Sequence, residues 1–257
     1  VEKIYPNHFV HGRAAQRYTA SRPYFHPQVI ERVRVVLGLR ERVRSALDVG
    51  CGTGQSTRAL EAIAQQVTGV DPSRAMLDQV PPEWGLTVLE GRGEALPIAD
   101  ASVDLVTAGL AFHWMKRAQF LPEARRVLRP GGHLVIYNNG ISGRMLDHPE
   151  FARWNAARSL KSVPIPPRYR YPLKDAQAQR HGLAFVRRET YENSVEFGRE
   201  ELAEYLLTQS HVIAEVEGGA LGVDELRARV SAELEPLFPT PRITVLFGGN
   251  IWYLVAV

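Results

Sequence analysis

The chain has 257 residues, of which 45% are hydrophobic, 23% charged and 9% aromatic, a globular composition that excludes a collagen-like, low-complexity or broadly disordered polymer. Its formal charge is only +3, from 27 arginines and four lysines against 28 acids, and the arginines are interleaved with acids rather than gathered into a basic arm. A single cysteine, Cys51, excludes an internal disulfide, and no run approaches the roughly 18 apolar residues of a membrane span.

The opening stretch VEKIYPNHFVHG has no apolar run of the signal-peptide kind. These features together predict a soluble cytoplasmic protein without nucleic-acid or membrane partners; they say nothing of its oligomeric state. Pro23 and Pro27 interrupt any long helix near the start. A helix is expected from Pro27 to about residue 44, with Val29, Ile30, Val33, Val36 and Leu37 at helical spacing. Pro27 suits the first turn, where its missing N–H costs nothing.

SALDVG (45–50) reads as a short buried strand running into GCGTG, followed by a helix over 56–66 with Leu60, Ile63 and Ala64 on one face. VTGVD (67–71) is a second strand, and Pro72 opens another short helix. LTVLEG (86–91) and VDLVTAG (103–109) are expected strands, 116–128 a helix stopped by Pro130-Gly131-Gly132, and HLVIYNN (133–139) a fifth strand. This alternation predicts an α/β fold with a doubly wound, mostly parallel sheet, which binds ligands beyond the carboxyl ends of its strands.

After residue 140 the rhythm breaks. HPEFARWNAARSL looks helical, VPIPPRYRYP is too proline-rich for regular structure, and REELAEYLLTQ (199–209) and DELRARVSAELEPLF (224–238) are amphipathic helices. FVRRETYENSVEF (185–197) and ITVLFGGNIWYLVAV (243–257) alternate as strands do. The expected organisation is therefore residues 1–139 as N-terminal helices and an α/β core, and 140–257 as a helical cap (140–182 and 199–240) around the last two strands of the same sheet.

The most informative segment is Asp48-Val49-Gly50-Cys51-Gly52-Thr53-Gly54-Gln55. Glycines directly after a strand permit a tight turn and close approach of a ligand to the backbone. A dinucleotide loop requires G-x-G-x-x-G; here the third glycine comes one place early and Gln55 holds the dinucleotide position. Asp48 at the loop mouth would repel a pyrophosphate and attract an ammonium group. Asp71 closes the second strand 21 residues after Gly50, a spacing that suits a carboxylate hydrogen-bonded to ribose hydroxyls. A nucleoside with a cationic amino-acid tail is S-adenosylmethionine. The bland alternative is a glycine turn with Asp71 as a helix cap.

The segments ALDVGCGTGQ, VTGVDPS, GRGEALPIADASVDLV and RRVLRPGGHLVIYN over 46–139 resemble class I S-adenosylmethionine-dependent methyltransferases. More narrowly, AFHW, GQST, YLLTQS and RYTASRPYF resemble the small-molecule, trans-aconitate methyltransferase-like branch. The resemblance implies a seven-stranded Rossmann-like sheet with a helical cap. It implies Gly50, Gly52 and Gly54 under the methionine part of the cofactor, Asp48 reaching its ammonium directly or through water, and Asp71 on the ribose. Pro72 and Met76 would flank the adenine, the backbone of Gly93 and Glu94 would read its edge, and Ala108 and Gly109 would lie beneath the methionine moiety. Arg92 stands where relatives often carry an acid, which removes one adenine contact.

Methyl transfer from a sulfonium needs alignment and dryness more than strong acid–base chemistry. His113, beside Trp114 after the fourth strand, is a candidate base or pocket wall; no His, Cys, Asp or Glu cluster has metal-ligand spacing, and His8 with His11 is poor support for zinc. Tyr18, Arg22 and Tyr24 are candidates for a lid, with Arg22 able to clamp a carboxylate and Tyr18 and Trp114 as further substrate contacts. Arg144, Arg153, Arg158, Arg168 and Arg170, with Tyr169 and Tyr171 as apolar walls, are candidates for binding an acidic substrate. The leading reading is methyl transfer to a small molecule, with carboxylic acids as first candidates. The alternatives are a transfer-incompetent cofactor-binding sensor or scaffold, and an NAD-dependent oxidoreductase, against which Gln55 and Asp48 argue.

Overall fold

The structure is a computed structural model that describes residues 12–145, 149–158, 160 and 172–257. His8, His11, Arg168, Tyr169, Arg170, Tyr171 and most of the proline-rich run lie outside the described residues. The chain divides into two compact units, one drawn from Val1–Pro23, Asn139–Pro167 and Glu192–Gly248, the other from Tyr24–Asn138, Arg168–Tyr191 and Gly249–Val257.

The second unit is built on α2 (His26–Val36), β1 (Val43–Val49), α3 (Gln55–Leu60), β2 (Ala64–Asp71), α4 (Arg74–Leu77), β3 (Thr87–Glu90), β4 (Val103–Gly109), α5 (Arg117–Val127) and β5 (Leu128–Tyr137). To these it adds α7 (Asp175–Gln179), the first part of β7 (Leu183–Gly198) and the last part of β8 (Arg242–Ala256). The strand order is β3-β2-β1-β4-β5-β8, with β7 beside β8. The first five strands run parallel, and β8 pairs antiparallel to β5 from His133↔Val255 to Tyr137↔Ile251. This is the mostly parallel Rossmann-like sheet that the alternation predicts. Strand order reverses at β1/β4, so their carboxyl ends open the crevice in which such sheets bind ligands.

Side-chain alternation assigns the two faces. Leu47, Val49, Val106, Ala108, Leu134, Ile136 and Leu254 join the core containing Phe120, Leu121 and Ala124 of α5. Ala46, Leu105, Val135, Tyr137, Ile251 and Tyr253 join Val29, Ile30 and Val33 of α2 and Ala59 and Leu60 of α3. Consecutive buried residues such as Ala46, Leu47, Asp48 and Val49 thus point to alternate faces, as a sheet covered on both faces requires.

Several boundaries depart from the sequence reading. The helix expected to residue 44 stops at Val36, where Leu37 caps it and Gly38 turns left-handed (φ 61°), and β1 starts at Val43. The helix expected over 56–66 ends at Leu60; Ala62 and Ile63 form i→i−3 turns and Ala64 already opens β2. A short apolar pair such as Ile63-Ala64 satisfies either period, which is why the sequence reading overran. Pro130-Gly131-Gly132 does end the helical run, but inside β5. The pairing passes from Val103↔Leu128 to Leu105↔His133, so the turn bulges out of the ladder. The strands number eight among the described residues, against the expected seven.

The additional strand, β6 (Gly140–Met145), belongs to the first unit and occupies the start of the stretch read as helical. Its GISGRM lacks alternation, so only its antiparallel partner, the first part of β8 (Ile141↔Phe247, Met145↔Val245), makes it a strand. The same unit holds α1 (Gly12–Ser21), α6 (Glu150–Ala157), α8 (Arg199–Leu207), α9 (Ser210–Glu217) and α10 (Val223–Leu234). Phe151, Leu202, Leu206, Val212, Val230, Leu234 and Phe247 form its core.

His26, the first residue of α2, is buried, shares a 2.8 Å hydrogen bond with the Tyr137 hydroxyl and stacks on Phe25. Burial holds its imidazole neutral down to about pH 3. The folded value lies below the unfolded one, so the neutral ring contributes stability above about pH 6.5 that is lost as pH falls towards 3. Denaturant melts should show the wild type losing about 2 kcal/mol more than His26→Phe between pH 7.5 and 5; parallel losses would remove His26 as the cause.

Candidate functional site

At the end of β1 the chain turns through Gly50, Gly52 and Gly54, all left-handed (φ 76°, 55° and 82°). Gly50 is also required by contact: a Cβ there would sit 2.3 Å from the Ala111 Cβ, so the loop after β1 and the turn after β4 lie against one another. The loop is tied down by N–H donors, with Gly50 to the Val70 carbonyl (2.7 Å), Gly54 to the Cys51 carbonyl (3.0 Å) and Gly52 to Asp71 Oδ2 (2.9 Å).

Asp71 sits at the end of β2, nearly buried at 9% exposure. Its Oδ1 accepts from the Ser73 N–H (2.8 Å), and the Ser73 hydroxyl in turn accepts from the Met76 N–H to cap α4. Each carboxylate oxygen holds one protein hydrogen bond and so retains acceptor capacity, which a ribose diol would use. Burial raises its pKa against the pull of the two backbone donors.

Asp48 requires a correction. Its side chain is fully buried beneath the loop, and its carboxylate accepts from the hydroxyls of Ser56 (2.5 Å), Thr57 (2.9 Å) and Thr107 (2.9 Å). It therefore ties β1, α3 and β4 together and presents no exposed atom to an ammonium group. Its electrostatic effect persists at a distance: the Cys51 thiol, in the middle of the loop, is pushed well up by burial and then by the charges of Asp48 and Asp71. The loop is thus underlaid by two carboxylates and stays a poor seat for a pyrophosphate. The signal for this arrangement was present in Ser56, Thr57 and Thr107, the last paired with Asp48 across β1 and β4, three hydroxyls within reach of one acid.

The other expected contacts fall as follows. Pro72 is exposed, and the buried Met76 brings its methyl within 3.1 Å of where a Gly52 Cβ would stand. Gly93 is buried among Val49, Met115 and Phe120, while the Glu94 carboxylate accepts from the Lys116 N–H (2.8 Å) at the start of α5. Arg92 is exposed. Ala108 and Gly109 are buried at the end of β4, and a Cβ on Gly109 would strike the Tyr137 ring at 2.4 Å. The next residue, Leu110, is left-handed (φ 57°) and donates its N–H to the Tyr137 carbonyl. His113 and Trp114 follow in a 3₁₀ turn, both part-buried, with ring centroids 4.9 Å apart. All of these belong to one compact unit, gathered at the carboxyl ends of β1, β2 and β4. The sequence reading had no signal for His26 and Tyr137, whose contact spans two distant elements.

Tyr18 and Arg22 belong to the other unit, whereas Tyr24 is an exposed residue of the sheet unit. Arg22 donates from Nη2 to the Thr208 carbonyl (2.7 Å), and its guanidinium lies over the Tyr18 and Tyr205 rings at 4.6 and 5.0 Å. Arg144 is paired with Glu192, and Arg153 is exposed. No helix among the described residues is long and apolar enough to cross a membrane, and no group of three or more His, Cys, Asp or Glu among them could hold a metal.

A parallel sheet with a reversal at β1/β4, a glycine loop and an acid ending β2 defines the class I methyltransferase fold. Residues 47–136 match the family described as a methyltransferase domain. It is 40% identical over 135 residues to an uncharacterized methyltransferase of Mycobacterium tuberculosis, a match covering 52% of this chain and 54% of the relative. It is 36% identical over 151 residues to the malonyl-[acyl-carrier protein] O-methyltransferase of Pseudescherichia vulneris, covering 58% of each. The chain thus spans about half the length of the curated relatives it matches. Among solved structures, a candidate type II methyltransferase from Anaeromyxobacter dehalogenans superposes with TM-score 0.64 at 22% identity, over 87% of this chain and 93% of that one. That likeness concerns the fold.

Proposed function

We propose that the protein transfers a methyl group from S-adenosylmethionine to the carboxylate of a small molecule. The observation that carries the reading is the loop of Gly50, Gly52 and Gly54 pinned to Asp71, whose carboxylate oxygens keep acceptor capacity, with two acids beneath the loop. When bound, the cofactor supplies a sulfonium methyl, an electrophile with a neutral leaving group. Asp71 holds the ribose, Pro72 and Met76 flank the adenine with the backbone of Gly93 and Glu94 at its edge, and Ala108 and Gly109 underlie the amino-acid tail. Asp48 acts on that tail through its field and by holding the loop, not by contact.

The carboxylate acceptor is supported by the relative named for O-methylation of a malonyl group. Such an acceptor is already an anion at neutral pH and needs no proton removed, so His113 serves as pocket wall beside Trp114. Incubation with S-adenosylmethionine and a panel of small carboxylic acids should give acid-dependent S-adenosylhomocysteine release, with the corresponding methyl esters inert. His113→Ala should keep turnover within about tenfold, whereas loss of a general base costs about a hundredfold or more. Release that no acid stimulates would refute carboxyl methylation.

A further inference from the structure

In the unit containing α6 and α8–α10, several buried donors lack an acceptor among the described residues. Arg158, the C-cap of α6, is 7% exposed. Only its Nη2 is engaged, donating to Gln209 Oε1 at 3.2 Å, while Nε and Nη1 have no partner. The indole N–H of Trp154 and Nε of Arg22 are likewise buried without one. These donors belong together. Arg22 reaches the Thr208 carbonyl and Arg158 reaches Gln209, the next residue, at the α8–α9 junction. Both guanidiniums also act on the buried Tyr205 phenol, pulling back the rise that burial imposes.

A buried guanidinium with two unsatisfied nitrogens is expensive, and a folded protein that retains one has an acceptor to offer it. Burial lowers the Arg158 pKa, and the charges of Tyr205 and Glu233 offset part of that through space. Among the described residues no group of three or more His, Cys, Asp or Glu could hold a metal ion. What is missing is an oxygen anion small enough to accept several N–H groups between aromatic walls.

We infer that Arg158, with Arg22 and the Trp154 indole, forms an anion subsite for the carboxylate of a small organic acid. This rests on the proposed carboxylic-acid acceptor. A carboxylate fits better than a phosphate: the charge of Glu233 already acts on Arg158, which disfavours a dianion.

The test is thermal melting of the full chain in acetate, malonate, succinate and citrate, against chloride and phosphate at equal ionic strength. Arg158→Gln and Arg158→Met are measured alongside, and S-adenosylhomocysteine is titrated into each protein by calorimetry. At least one carboxylate should raise the wild-type Tm saturably, and both substitutions should weaken that response by about tenfold or more. Arg158→Met should melt no lower than the wild type in chloride, because it removes an unpaired buried charge. S-adenosylhomocysteine binding should be the same in all three. A carboxylate response that is absent, or unchanged by the substitutions, overturns the subsite, as does an equal response to phosphate. An Arg158→Met variant melting well below the wild type makes the guanidinium a structural brace and overturns it too. Absence of heat with S-adenosylhomocysteine in the wild type refutes the proposed function instead and leaves the anion site standing.

Discussion

Asp48→Ala should destabilise the protein by about 3–5 kcal/mol, because three buried hydroxyl donors lose their common acceptor and each orphaned donor costs about 1–3 kcal/mol before it relaxes. The residues concerned are Ser56 and Thr57 on α3 and Thr107 on β4, so the loss would be felt where the glycine loop is anchored. In a chain of this length the corresponding fall in Tm is about 10 °C. Asp48→Asn keeps one carbonyl acceptor and the hydroxyls can accept from its amide, so its effect should be under half as large. Were Asp48 a ligand contact, as the loop pattern suggested, both variants would melt like the wild type and differ only in nucleotide affinity. Melting curves without ligand separate the two roles.

The parallel core was legible because β1, β3 and β4 run into or end on a glycine, β2 ends on Asp71, and the helical run of α5 is stopped by Pro130-Gly131-Gly132. β6 was not, since two of its six residues are glycine and its strand character comes from pairing with β8. The end of α3 was lost for a related reason: Ile63 and Ala64 are buried in either conformation. For the site, the positions Gly50, Gly52, Gly54 and Asp71 could be read directly from spacing. The direction in which Asp48 points could not, because a carboxylate at a loop mouth and one under it have the same sequence, and only the register of Thr107 decides between them. Arg22 was singled out for its chemistry, yet part of its donor set goes to the Thr208 carbonyl. Arg158 stood unmarked among five arginines until its burial distinguished it.

Asp71→Ala should bind S-adenosylhomocysteine about a hundredfold more weakly. Two charge-assisted hydrogen bonds to the ribose, at roughly 1.5 kcal/mol or more each, account for that factor, and the Gly52 and Ser73 N–H groups lose their acceptor as well. A nucleoside analogue lacking the ribose hydroxyls should bind the variant and the wild type alike, which distinguishes a direct contact from a collapsed loop. The central claim, that two acids beneath a glycine loop select a cation-bearing nucleoside over a pyrophosphate, is read most directly by titrating the wild type with S-adenosylhomocysteine and with NAD in the same calorimeter. The account predicts saturable heat with the first, lost on Asp71→Ala, and none with the second at equal concentration; binding of NAD as tightly as S-adenosylhomocysteine would contradict it.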